Sequence, residues 1–295
     1  MKHTIFTGAA TALITPFKNG VIDYDAYGKI LEAQIEGGIS ALVVAGTTGE
    51  SSTLTDEEHR EIIRYAVEKV AGRVPIIAGT GSNDTSYAIE LSKFACSVGA
   101  DALLLVTPYY NKATQNGLYE HFKAIAESCD KPCILYNVPS RTGCNILPDT
   151  AARLADIDNI VAIKEASSDI SQIAELAAKC GDTLDIYSGN DNQILPIMSL
   201  GGKGVISVLS NVLPAETSEI CSKFLSGDIA GALELQLKYL PFINALFSEV
   251  NPIPAKAAMA RLGRCENTLR LPLTPMSEAK AEHMYKIMEE LGLTK

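Results

Sequence analysis

The sequence predicts an α/β chain folded as a (β/α)8 barrel, a TIM barrel, with an appended C-terminal helical bundle, and three observations lead there. Eight short apolar, β-branched runs recur between residues 9 and 209, and they lack the in/out alternation of a half-solvated strand, as parallel strands covered on both faces require. The segments between them leave room for one helix each, and residues 56–71 and 85–98 carry a clear helical period. Three more helical-period segments, 228–247, 252–262 and 277–291, follow the last unit with no Pro/Ser-rich linker, so they are expected to pack on the barrel rather than swing from it. The predicted division is a catalytic barrel over 1–226 and a packed helical bundle over 227–295.

Taken in order, the strands are predicted at 9–14, 39–45, 74–78, 100–107, 132–137, 160–165, 184–188 and 204–209, with the eighth helix at Pro214–Leu225. Eight β units in succession suggest closure. A doubly wound open sheet is the main rival, but no G-x-G-x-x-G opens the first helix. The loop Gly201-Gly202-Lys203-Gly204 has phosphate-cradling composition; lying at the N-terminal end of strand eight, it is read as a tight turn. No internal repeat or low-complexity tract interrupts the pattern.

Composition excludes several classes of function. An apolar fraction of 47% against 20% charged residues is enough for a core and too apolar for a disordered chain. With 25 Lys plus Arg against 35 Asp plus Glu, the net charge is -10 and no basic run tracks a phosphate backbone, so nucleic acid is not an expected partner. No stretch approaches the roughly 20 uncharged residues of a membrane span, and a cytoplasmic location is expected. The 7 cysteines, at 96, 129, 133, 144, 180, 221 and 265, form an odd, scattered set without a C-x-x-C pair, which suits reduced, buried thiols. The 4 histidines, at 3, 59, 121 and 283, form no H-E-x-x-H pattern, and no metal is expected.

In a barrel of this kind the active site lies at the C-terminal ends of the strands, and polar residues concentrate there. Strand two ends in Gly46-Thr47-Thr48-Gly49-Glu50-Ser51, strand three in Gly79-Thr80-Gly81-Ser82-Asn83, strand four in Thr107-Pro108-Tyr109-Tyr110-Asn111 and strand five in Tyr136-Asn137-Val138-Pro139-Ser140-Arg141-Thr142-Gly143. Lys164 follows Ile160-Val161-Ala162-Ile163 and so places an ammonium inside an apolar strand. Desolvation there depresses the lysine pKa and yields the neutral amine that attacks a ketone to form an imine. A snorkelling lysine, or one paired with Glu165, is the other reading. Tyr136, ending the neighbouring strand, is placed either to move protons at a carbinolamine beside Lys164 or simply to pack. Thr47 and Tyr110 carry hydroxyls suited to a relay from Tyr136 to solvent, and the Thr47 and Thr48 amides suit a carboxylate, with a plain capped turn as the alternative. Arg141 has the planar fork for a bidentate carboxylate contact, or is an ordinary surface arginine.

Together these residues resemble the dihydrodipicolinate synthase family, the 4-hydroxy-tetrahydrodipicolinate synthases of the pyruvate-dependent aldolase superfamily. The resemblance runs from Gly8-Ala9-Ala10-Thr11-Ala12 through the Gly46–Ser51, Tyr136–Gly143 and Ile163-Lys164-Glu165-Ala166 motifs. It extends to Asn251-Pro252-Ile253-Pro254 and Leu271-Pro272-Leu273-Thr274-Pro275. It implies a Schiff-base lyase that joins pyruvate and L-aspartate 4-semialdehyde in lysine and diaminopimelate biosynthesis, without a cofactor. Lys164 is then the imine lysine, Tyr136, Thr47 and Tyr110 the proton relay, and Arg141 the guide for the aldehyde's carboxylate. Thr48, Gly189 and Ile206 fall where the family surrounds pyruvate. Ser140-Arg141-Thr142-Gly143 with Tyr109-Tyr110 favours this activity over a sialic or keto-deoxy sugar acid lyase. Intact Lys164 and Tyr136 argue against a non-catalytic keto-acid-binding barrel.

The same resemblance implies that Tyr110 reaches the active site of a neighbouring copy, and hence a homo-oligomer, a tetramer built as a dimer of dimers. It also implies an allosteric lysine site at Ser51, His59, Asn83 and Tyr109. Two positions depart from the lysine-sensitive pattern: Asp56 stands in place of a His, and Tyr87 in place of a Glu that would pair with the ligand's ammonium. Weak binding of L-lysine is the expectation.

Overall fold

The computed structural model describes residues 4–294. All eight apolar runs form strands: β1 (Gly8–Ala12), β2 (Ala41–Val44), β3 (Ile76–Gly79), β4 (Ala102–Val106), β5 (Cys133–Asn137), β6 (Ile160–Glu165), β7 (Asp185–Ser188) and β8 (Gly204–Ser207). Every neighbouring pair is parallel, and β1 pairs with both β2 and β8, which closes the barrel and removes the open-sheet alternative. The missing alternation has a visible cause. One set of side chains, including Ala10, Val43, Ile77, Leu104, Ile134, Ala162 and Ile206, fills the interior, while Ala9, Leu42, Val44, Leu103, Leu135 and Ile163 pack outward against helices. At the N-terminal end, the stacked rings of Phe6 and Tyr187, 4.2 Å between centroids, plug the interior, and Tyr187 Oη donates to the Phe6 carbonyl at 2.6 Å.

Strand ends differ from the sequence expectation by at most two residues, and 160–165 is matched at both ends. The run expected at 204–209 stops at Ser207, because Leu209–Asn211 turn into a short 3-10 segment that Asp191 caps from β7's loop. The glycine turn before β8 is as expected, with Gly201 at φ 94°. Gly204 is required at the closing seam: a Cβ there would stand 1.7 Å from the Gly8 carbonyl oxygen. A small hairpin, Phe17–Lys18 with Val21–Ile22, was not legible in the sequence.

The intervening helices are α1 (Tyr24–Glu36), α2 (Asp56–Val70), α3 (Thr85–Ser97), α4 (Gln115–Ala126), α5 (Pro148–Ala155), α6 (Ile170–Cys180), α7 (Ile194–Ser199) and α8 (Pro214–Leu225). Local chemistry starts them where they start. Thr55 and Glu58 form a reciprocal capping box on α2, and Asp84 accepts from Ser86 N at 2.9 Å to open α3. Three further helices follow: α9 (Ile229–Leu246), α10 (Ile253–Arg261) and α11 (Glu278–Glu290).

These last helices are fastened to the barrel by polar contacts that the apolar pattern does not reveal. Lys256 of α10, fully buried, pairs with Glu50 at 2.5 Å, donates to the Thr268 carbonyl at 2.8 Å, and stands 4.1 Å above the Phe17 ring. Arg270 grips Glu58 at 2.5 Å, while its own N–H reaches Glu50 Oε2 at 3.0 Å. Gln236 Nε2 holds the Asp191 carbonyl at 3.0 Å. Removing one partner of a buried pair leaves the other charge uncompensated. Lys256→Ala is therefore expected to lower stability by about 3–5 kcal/mol in chemical denaturation, and a loss below about 1 kcal/mol would show that Glu50 finds another partner.

Candidate active site

Tyr136 and Lys164 are direct register partners on β5 and β6, so both side chains project into the barrel at its C-terminal mouth. Lys164 Nζ lies 4.3 Å from the centroid of the Tyr136 ring, and only 5% of the residue meets solvent. Glu165, one residue on, faces the other way. Its carboxylate accepts from Asn137 Nδ2 at 3.0 Å and Ser167 N at 2.6 Å, which removes the reading of a Lys164–Glu165 pair. Among the described residues no carboxylate forms an ion pair with Lys164. Burial drives its pKa down to about 8; the Asp191 charge opposes that drop and Arg141 reinforces it. At pH 7 about a tenth of the side chains are then neutral amines, against a negligible fraction for an ordinary lysine.

Burial raises the Tyr136 pKa, while Arg141 and a hydrogen bond with the Thr47 side chain pull it back. The phenol is thus kept protonated yet tied to a second hydroxyl. Thr47 and Thr48 occupy a 3-10 turn, Thr47–Gly49, without a side-chain cap. Thr48 Oγ1 receives Asn251 Nδ2 at 2.9 Å. Gly189 follows β7, and its lack of a side chain is what the packing needs: a Cβ there would meet Ala166 Cβ at 2.7 Å and Lys164 Cε at 3.2 Å. Ile206, paired with Ala10, is buried in the barrel interior below the mouth.

Arg141 stands on one short helical turn, Pro139–Thr142, and its Nη2 donates to the Asn251 carbonyl at 3.0 Å. Thr48, Tyr136, Arg141, Lys164 and Gly189 line one cavity of ≈ 500 Å³, the size of a small-metabolite site. The rest of its wall includes Ser140, Asn190, Val208 and the 247–251 segment. Among the described residues no group of three or more His, Cys, Asp or Glu could hold a metal ion.

Tyr110 is not brought to this cavity. It is 93% exposed and sits at φ 73°, a left-handed conformation that is strained for a bulky residue. Tyr109 beside it is half-exposed, and its carbonyl receives Asn83 Nδ2 at 3.1 Å. His59 is buried, with Nε2 2.8 Å from the Gly79 carbonyl oxygen, and burial lowers its pKa. Ser51, His59, Asn83 and Tyr109 lie on or just after the loops that follow β2, β3 and β4. Asp56 is held by Arg60 at 2.7 Å and by the Tyr87 hydroxyl at 3.0 Å.

Sequence reading missed Asp191 and Asn251 as parts of the site. Asp191 ends the Ser188-Gly189-Asn190-Asp191 stretch after β7, so the strand-end rule that found Lys164 applied to it equally. It is 1% exposed, and Oδ2 accepts from Val208 N at 3.0 Å and Leu209 N at 2.9 Å. Asn251 arrives from the C-terminal part of the chain, a juxtaposition no local pattern announces.

A carboxylate near an ammonium favours its charged form, so removing the Asp191 charge should release the Lys164 proton more easily. Reductive methylation of Lys164, read by mass spectrometry across pH, is expected to rise through a midpoint near 8. In Asp191→Asn, whose amide oxygen still serves the two backbone donors, the midpoint is expected to move lower. A midpoint near that of an ordinary lysine, or an upward move in the variant, would contradict this electrostatic picture.

Comparison with known proteins gives the family. The model of the dihydrodipicolinate synthetase family matches residues 5–291. The 4-hydroxy-tetrahydrodipicolinate synthase of Lachnoclostridium phytofermentans is 60% identical, over 98% of this chain and 99% of that protein. The dihydrodipicolinate synthase structure from Thermotoga maritima superposes with a TM-score of 0.97 at 45% identity, covering 98% of this chain and 100% of that one. A monomeric dihydrodipicolinate synthase variant superposes at 0.96 with 45% identity, covering 98% of each chain. The chain belongs to the dihydrodipicolinate synthetase family.

Proposed function

We propose that this chain condenses pyruvate with L-aspartate 4-semialdehyde to give 4-hydroxy-tetrahydrodipicolinate, through an imine at Lys164. The observation that carries the reading is the unpaired, desolvated Lys164 amine beside the Tyr136 phenol, at a cavity that also presents Arg141 and Thr48. The neutral amine attacks the pyruvate ketone, and Tyr136 supplies the proton with which water leaves the carbinolamine. Loss of a methyl proton turns the iminium into an enamine, whose carbon attacks the aldehyde. The amine of the second substrate then attacks the imine carbon, closing the ring and returning Lys164. Arg141 suits the aldehyde's carboxylate, and the Thr47–Thr48 turn suits that of pyruvate.

Full turnover in this reading needs Tyr110, which the single chain leaves exposed. A tyrosine strained outward on a loop supports a role in a second copy's active site, and a stripe of exposed Leu225, Ile229, Leu233 and Leu237 supports a further contact. The active species is a tetramer assembled as a dimer of dimers. Light scattering on the working enzyme checks this, and a fully active monomer would remove Tyr110 from the relay.

Weak L-lysine binding also belongs to this reading. Tyr87 offers no charge to the ligand's ammonium, and Asp56, already committed to Arg60 and Tyr87, is not free to substitute. Initial rates with L-lysine at about 1 mM are expected to stay mostly intact, and strong micromolar inhibition would contradict the argument.

Activity itself is tested by offering pyruvate with L-aspartate 4-semialdehyde or with sugar aldehydes. Turnover is expected with the semialdehyde, and Tyr136→Phe should slow it by about 10²-fold or more while the fold persists. Preference for a sugar aldehyde would reassign the substrate. A wild-type rate in Tyr136→Phe would remove the phenol from proton transfer.

A further inference from the structure

Directly behind the catalytic pair, on the outer face of the same two strands, stands a second register pair, Asn137 of β5 and Glu165 of β6. Side chains alternate along a strand, so these two point away from the cavity while Tyr136 and Lys164 point into it. Both are enclosed, Asn137 at 0% and Glu165 at 1% exposure. They are joined across the strands, where Asn137 Nδ2 donates to Glu165 Oε2 at 3.0 Å.

Each residue also holds the loop that follows its own strand. Asn137 Oδ1 accepts from Ile146 N at 2.9 Å, which closes the loop carrying Ser140 and Arg141. Glu165 Oε1 accepts from Ser167 N at 2.6 Å, between Ala166 and Ser168 of the cavity wall, and Gly189 N reaches the Glu165 carbonyl at 2.8 Å. Behind the pair, Asn145 Oδ1 accepts from Asn137 Nδ2 at 2.9 Å, and Asn145 exchanges two hydrogen bonds with Gln172 of α6, at 2.7 and 3.1 Å. A buried carboxylate among neutral donors is a costly choice for stability alone, since an apolar side chain of similar volume avoids its desolvation. What a charged acceptor supplies is short, directional bonds of fixed geometry.

We propose that Asn137 and Glu165 are positioning residues for the condensation: their cross-strand bond fixes the Tyr136 phenol against the Lys164 amine, and their loop contacts set the wall beside Lys164 and the turn bearing Arg141. The proposal rests on the imine reading given above, and neither side chain touches substrate. The steps sensitive to it are those that use phenol and amine together, from addition of the amine to the ketone to loss of water from the carbinolamine. Capture of pyruvate itself is insensitive, because the Thr47–Thr48 turn suited to its carboxylate follows β2 and is held from Asn251.

The full-length protein is mixed rapidly with pyruvate and quenched with borohydride at intervals, which gives the maximal rate of imine formation and the pyruvate concentration for half that rate. Glu165→Gln keeps the shape but sets an amide donor against either Asn137 Nδ2 or Ser167 N, so one bond is lost. Its cooperative thermal unfolding should persist and its half-saturating pyruvate stay near wild type, while the maximal rate falls about 10-fold or more. Asn137→Asp combined with Glu165→Gln again sets donor against acceptor across the strands, with Asn145 and Gln172 turning their amides over to follow, and should recover most of the rate. A wild-type maximal rate in Glu165→Gln, or a loss explained wholly by weaker half-saturation, would overturn the proposal. So would a combined variant no faster than Glu165→Gln, or loss of cooperative unfolding in Glu165→Gln, the mark of a purely structural pair. Wild-type protein without label at Lys164 would overturn the imine reading itself, whatever the variants do.

Discussion

A lysine ammonium inside an apolar barrel must lose either its charge or its isolation, and the rest of the site is arranged around the first outcome. Lys164 is enclosed by β5, β6 and β7, has no ion-pair partner among the described residues, and lies with its Nζ 4.3 Å from the Tyr136 ring centroid. Desolvation is therefore the largest influence on it, and its pKa falls to about 8. The buried Asp191 carboxylate moderates that fall, and Arg141 deepens it. The same enclosure keeps the Tyr136 phenol protonated beside the amine.

Lys256 shows the opposite solution within one molecule. It is still more deeply buried, yet Glu50 faces it at 2.5 Å and the Thr268 carbonyl takes another of its protons. Burial lowers the Lys256 pKa as well, but here Glu50 opposes the fall and the pair serves as a fastener. Glu50 belongs to the loop carrying Thr47 and Thr48, so the pair fixes the turn at the cavity's wall to α10. Asn251 adds two more ties, to Thr48 Oγ1 and to Arg141. The C-terminal helices thus act as a clamp on the catalytic mouth, and the geometry of the site depends on chain that contributes no reacting group.

Much of this was legible from the residues. Eight apolar runs without alternation implied a doubly covered parallel sheet, and a lysine ending one such run was conspicuous against it. The pattern could not separate Lys164 from Lys256 by itself, since Ile253–Met259 is as apolar as Ile160–Ile163; what distinguishes them is the carboxylate that the fold brings to one and not the other. Tyr136 was identifiable because neighbouring strands in a barrel share their register. Asp191 was within reach of the same strand-end reasoning and was overlooked. Asn251 was not legible, because it joins elements whose contact depends on the closed tertiary structure. Tyr110 is the reverse case: the resemblance gave it a catalytic role, and the isolated chain leaves it in solvent.

The chemistry assigned to this site requires a covalent bond between one particular buried amine and a keto acid. Borohydride reduction in the presence of pyruvate, followed by peptide mapping, reports that bond directly. A single adduct at Lys164, absent in Lys164→Arg and retained in Lys256→Met, is the expected result. Label at Lys256 or at a surface lysine, or an unchanged label in Lys164→Arg, would contradict it.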